Sequence, residues 1–240
     1  MTGKNASAIF GKLGVLGDAN LFLINPNGII FGENASLDIS GSFIATTSPS
    51  ILFDNGFEFS ATNLQELPLL KVNITPGLQY PRPPQGDISS KANLTVGGDL
   101  NLIGKNINLT GKLRAGKDLN LKAENNLKIR DNSEIPFIAS SNHNLLLQGT
   151  ETLDIFALNH PDSGLFSGND LILQSANPVL GDTNYFSGGN FRIEQLDGTL
   201  GNLQSPNDPI IRASGDVSFD SYTGASLHIL AGGSVNITGD

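Results

Sequence analysis

The side chains that could carry chemistry are few and scattered. The three histidines, His143, His160 and His228, have no partner at metal-ligand spacing, so each reads as a surface or corner residue. Cysteine is absent, which removes a disulfide framework, a thiolate metal site and a thiol nucleophile. Carboxylates recur at Asp118, Asp170 and Asp216, at equivalent places in a repeat, where bonding of corner backbone is the simplest role. Cleavage of a polysaccharide would need two or three carboxylates, or a carboxylate with Arg or Lys, converging on one exposed face. Arg114, Arg130, Arg192 and Arg212 fall at unrelated repeat positions, and no such constellation is legible. NHPDSG, Asn159 to Gly164, reads as a turn, and the Gly-Gly-Asp corners lack the G-G-x-G-x-D spacing of calcium-binding coils. The sequence therefore calls for no cofactor, no metal and no enzyme. A carbohydrate-binding or polysaccharide-cleaving β-helix stands as the alternative.

The densest stretch is NPNGIIFGENASLDISGSFIATT, Asn25 to Thr47. Pro26 pre-sets φ for the first central position of a β-turn, Asn27 tolerates positive φ at the second, and Gly28 suits the exit. Asn25 can bond its own backbone two residues on, as an Asx-turn. Short strands flank the turn, Leu21 to Ile24 before it and Ile29 to Phe31 after it. Ser36 to Ile39 and Ser42 to Ala45 follow.

Composition sets the frame for these residues. The net charge is −9, from 14 basic and 23 acidic residues. That balance argues against a nucleic-acid partner, which needs basic stripes, and against docking on anionic lipid. Only 15% of residues are charged, and Asn, Ser, Thr and Gly carry the polarity instead. Those residues are poor in helix interiors and good in turns and solvated strand faces. No apolar run approaches the length needed to span a bilayer. The start, MTGKNASAIFGKLGVLGDAN, shows no basic region followed by a continuous apolar one, so no signal peptide is legible.

The elements divide at about residue 90. Residues 1–90 read as a strand ladder with an excursion over 48–90. In the excursion, Asn55-Gly56 between Ile51 to Phe53 and Phe57 to Phe59 predicts a hairpin. PLLKVNI can give a strand, and the four prolines between Pro76 and Pro84 predict a stiff connector. From residue 91 a unit repeats: a small turn, then Asp or Asn, then apolar-x-apolar. Its first apolar positions are Leu100, Leu119, Leu145, Leu171, Phe191, Val217 and Val235, at steps of 19, 26, 26, 20, 26 and 18 residues. A second track, Ile107, Leu127, Leu153 and Val179, trails at a nearly constant offset. Two tracks that hold their offset while the unit changes length predict stacked coils with variable loops on one corner. One coil cannot bury its own apolar face, but stacked coils make a continuous core. The predicted fold is all-β, a parallel β-helix whose 1–90 portion carries an extra-helical hairpin and Pro-rich loop at about 48–90, with β-helical repeats over 91–240. A sandwich or barrel of short strands would show evener spacing.

NASAIFGKLGVLGDANLFLINPNGIIFGENASLDISGSFIATT resembles the secretion domain of filamentous-haemagglutinin-like exoproteins of two-partner secretion, in its cyanobacterial flavour. NPNGI is that family's motif, here Asn25, Pro26, Asn27, Gly28 and Ile29, and FSATN, PLL and GLQY further on are also similar. The resemblance implies a right-handed parallel β-helix and an exported adhesin or cytolysin. It implies recognition by an outer-membrane transporter of the Omp85 class through its POTRA domains, with the NPNGI turn serving recognition or folding competence. A host or neighbouring-cell surface is the implied target, and a secreted or cell-surface location is reached through the periplasm. The family's NPNL turn has no counterpart here, and Met1 falls where the family domain is already under way, which implies an N-terminally shortened chain.

Overall fold

The computed structural model describes residues 4–53, 56, 58–62 and 79–239. Every element in it is a strand, and three parallel sheets wrap a single core as a right-handed parallel β-helix. Among the described residues the first sheet has nine strands, running from Ser7–Ile9 through Ile29–Phe31, Ile88–Ser90 and Ile107–Leu109 to Tyr222–Gly224. The second has seven, from Asn93–Val96 to His228–Ala231, and the third has nine, from Leu21–Ile24 to Val235–Ile237. Lys12–Gly14 and Ser36–Asp38 pair with each other at the head of the second sheet. The sheets run through residue 90 without interruption: Ile29 pairs with Ile88, and Phe43 with Leu100.

The sequence tracks are the core columns. Leu100, Leu119, Leu145, Leu171, Phe191, Val217 and Val235 pair rung to rung along the third sheet. Ile107, Leu127 and Leu153 do the same along the first, and the register continues to Val179 through Asp154 with Leu180. Alternation sends these side chains inward, and most are completely buried. The second sheet supplies a third column that the repeat did not reveal: Leu94, Leu113, Ala139, Leu165, Tyr185 and Ile211.

One corner is tied along nearly the whole rod. Asn20, Asp99, Asp118, Asn144, Asp170, Asn190 and Asp216 each use a side-chain oxygen to accept a backbone N–H from the next coil. Between Asn20 and Asp99, Ser42 Oγ takes the same place and accepts from Asp99 N–H. The loops that lengthen individual coils fall at two corners rather than one. Residues 131–137 and 157–163 lie between the first and second sheets, and 195–202 between the third and first.

Beyond Thr46 the chain leaves the helix. Ser50–Leu52 and Glu58–Ser60 pair antiparallel, one residue off the spans read from the sequence, and Leu52 bridges Gln79. Gly56 closes the turn with its N–H on the Phe53 carbonyl at 2.8 Å, at a φ of 79°. Asp54, Asn55 and the PLLKVNI strand lie outside the described residues. The hairpin sits on the outer face of the third sheet. Phe53 meets Phe22 edge-on at 5.8 Å, and Ile44 and Ile103 are buried although alternation points them outward.

Candidate functional site

The turn at residues 25–28 is built from the inside. Gly28 donates its N–H to the Asn25 carbonyl at 3.0 Å, which closes the β-turn. Asn27 does not take positive φ; Gly28 does, at 116°. This is a type I turn with glycine at its exit, and Pro26 sits where its fixed φ suits it. The Asx-turn is present: Asn25 Oδ1 accepts from Asn27 N–H at 3.0 Å and from Asn27 Nδ2 at 3.1 Å. Asn25 Nδ2 donates to the Asn5 carbonyl at 3.0 Å and to Ser7 Oγ at 2.9 Å. Asn25 is 2% exposed, so the side chain with the most hydrogen bonds is spent inside the protein, tying the first coil to the turn.

The rest of the motif continues the ladder. Ser7 N–H bonds the Gly28 carbonyl at 2.9 Å, and Ile29 N–H bonds the Asp87 carbonyl at 3.0 Å. Ile29 is fully buried in the first-sheet column. Of the five motif residues, Asn27 is exposed and Pro26 half-buried; the other three are buried. Gly86, from the coil above, abuts the turn so closely that a Cβ there would stand 2.5 Å from Gly28 N and 2.6 Å from the Pro26 carbonyl. Sequence reasoning missed Gly86, because its partner is some sixty residues earlier and no local pattern marks it.

The other candidates separate. The NHPDSG segment is an ordered turn around Asp131, whose carboxylate accepts from Asn159 N–H and Nδ2, His160 N–H and Ser163 Oγ. The Ser163 hydroxyl donates to Asp131 and not to the His160 ring, so Ser163 and His160 are not a nucleophile–base pair. His228 faces Asp208 at 3.2 Å on the surface. Arg212 caps the ring of Phe186, which stacks on Phe166 at 4.8 Å on the outer face of the second sheet. Arg114 stands two rungs below Phe166 on that face, and Arg192 pairs with Glu194 on the third sheet.

Two carboxylates do line one groove, of about 350 Å3, on the first sheet: Asp154 and Asp182. Asp154 is bound by Arg130. Asp182 is 3% exposed and accepts from Ser205 Oγ, from Asn207 N–H at 3.2 Å and from Asn207 Nδ2 at 3.0 Å. Behind it lies the buried Tyr185, whose hydroxyl occupies the space a Cβ on Gly181 would need. Burial, and secondarily the Asp182 charge, push the Tyr185 phenol above its ordinary range. Among the described residues no group of three or more His, Asp or Glu side chains could hold a metal ion.

The arrangement is that of a scaffold whose distinctive turn is locked into the first coils, with its polar groups mutually satisfied. Comparison with curated proteins and with solved structures returns no match. Residues 1–193 match the family model of the TPS secretion domain, so the chain belongs to that family, the secretion domains of two-partner-secretion exoproteins.

Proposed function

We propose that residues 1–90 form the transport-recognition portion, and residues 91–240 the first shaft coils, of an adhesin- or haemagglutinin-type exoprotein. The family match over residues 1–193 supports the secretion reading, and the division at residue 90 rests on the change in the sequence from excursion to repeat. A β-helix suits the role because every coil repeats the same small problem, so a long rod can be extended rung by rung. The chain passes through the periplasm and an outer-membrane pore of the Omp85 class, and its target is a host or neighbouring-cell surface. In this reading it is a binding and structural protein, not an enzyme. Supporting that, Asp154 and Asp182 are both engaged within the protein.

Asn25, Pro26, Asn27, Gly28 and Ile29 act in export mainly by fixing the fold of the first coils, since most of the motif is turned inward. The POTRA domains engage the edge of the extra-helical hairpin by adding a strand to it. A pull-down of the chain with POTRA domains tests this. Retention of the folded chain is expected, and its absence with a folded chain would count against the reading.

A further inference from the structure

A second groove, of about 620 Å3, lies on the outer face of the first sheet, over its first rungs. Its course follows the register: Ile30, Ser89, Asn108 and Lys128 stand on successive rungs and point outward, so the groove crosses the strands. The two ends differ in chemistry. At the end over the first coils, Phe10 is 67% exposed and Ile30 41% exposed. The Phe10 ring lies against Gly32, where a Cβ would stand 2.4 Å from it, so a larger residue there would displace this wall. Lys91 and Glu33 follow beside Gly32, and at the far end the lining carries Lys128 and Arg130, next to Asp154 on the following rung, so cations outnumber the single lining carboxylate in a chain of net charge −9. Arg130 is held by Asp154, and Lys91 stands 3.9 Å from Glu33. Among the described residues Lys128 forms no ion pair.

An exposed aromatic beside an exposed isoleucine, a floor of small polar groups and an unpaired lysine three rungs away, about 14 Å, match an extended peptide. Such a peptide places an apolar side chain between Phe10 and Ile30 and a carboxylate on Lys128. The backbone groups of these strands are already bonded to neighbouring coils, so the contact is made by side chains, unlike strand addition at the hairpin. We infer that this groove is where the partner transporter holds the chain, through an acidic peptide segment with an apolar anchor. The inference rests on the two-partner-secretion reading above and adds a surface to it.

The test measures equilibrium binding of the full 240-residue chain to its full-length cognate transporter in detergent, at low and at physiological ionic strength. The variants are Ile30→Asp, Lys128→Gln and the control Lys122→Gln, an exposed lysine on the third sheet. Thermal melts confirm that each is folded. Ile30→Asp is expected to weaken binding about tenfold, as loss of an apolar anchor does. Lys128→Gln is expected to weaken it about fivefold and to flatten its salt dependence, while Lys122→Gln stays within about twofold. Wild-type binding with Ile30→Asp and Lys128→Gln unaffected overturns the groove alone, as does an equal loss in Lys122→Gln. No binding by the wild-type chain overturns the transporter reading and the groove with it.

Discussion

Asn25 concentrates more hydrogen bonding into one buried side chain than any other residue of the turn. Replacing it by alanine strips partners from Ser7, Asn27 and the Asn5 carbonyl at once. Each hydrogen bond lost costs about 0.5–1.5 kcal/mol net, less where its groups reach water. Asn25→Ala is therefore expected to destabilise the chain by about 2–3 kcal/mol, read as a lower urea midpoint at unchanged slope. A loss below about 0.5 kcal/mol would mean the turn is not a latch. Tyr185 makes the opposite case, since its buried hydroxyl has no hydrogen-bond partner among the described residues. Tyr185→Phe is expected to leave stability unchanged, or raise it by up to about 1 kcal/mol, at neutral pH. Because burial raises its folded-state pKa, the neutral phenol is favoured in the fold. The stability this contributes is complete below the unfolded value near pH 10 and is lost as pH rises above it. Urea titrations at pH 7 and pH 11 should therefore show a smaller alkaline loss for Tyr185→Phe than for the wild type.

At the scale of elements, the corner ladder and the core columns do separate jobs. The columns supply burial: Leu121→Ala, inside the third sheet, is expected to cost about 2–5 kcal/mol through lost transfer energy and a residual cavity. The ladder fixes register, because each side-chain oxygen accepts the backbone N–H at the matching place in the next coil. Asn144 accepts from Asp170 N–H and donates to Asp118, so Asn144→Ala is expected to cost about 1–2 kcal/mol. Asp118→Asn, which keeps the accepting oxygen, should stay within about 0.5 kcal/mol in the same denaturation measurement. The ladder was legible in the sequence as the Asp or Asn before each apolar-x-apolar copy, Asp118, Asn144, Asp170, Asn190 and Asp216 among them. That each oxygen accepts an N–H of the next coil was not, because that partner is supplied only by stacking. The Leu100 to Val235 column was legible because a small turn and an acid or amide precede each copy. The Leu94 to Ile211 column was hidden because leucine, alanine, tyrosine and isoleucine share it, and Tyr185 needed Gly181 across the core to make room. No pattern local to Gly86 could have found it, since its meaning comes from a turn that the fold brings back over the whole excursion.

The molecule as a whole is a rod that rises about 4.8 Å per coil, with a single core through all three sheets. At one end of this 240-residue polypeptide Val235 and Ile237, which continue an inward column, are 48% and 47% exposed. At the other, Leu21 and Leu23 of the first third-sheet strand are only partly buried. Flat, open parallel edges with apolar residues between them template further pairing. A polypeptide of residues 1–240 by itself is expected to elute from size exclusion as oligomers, or to be recovered insoluble; a single sharp monomer peak would contradict templating by these edges. Its acidic character slows this association at low salt and less so at high salt. Export is the property that joins these scales, because a latched turn and an extendable rod serve a secretion module. The most direct measurement directs the chain to the periplasm behind a fused leader, with and without its cognate outer-membrane transporter, and quantifies the protein outside the cell. The account predicts release that depends on the transporter and falls sharply in Asn25→Ala. Equal amounts outside the cell with and without the transporter would contradict it.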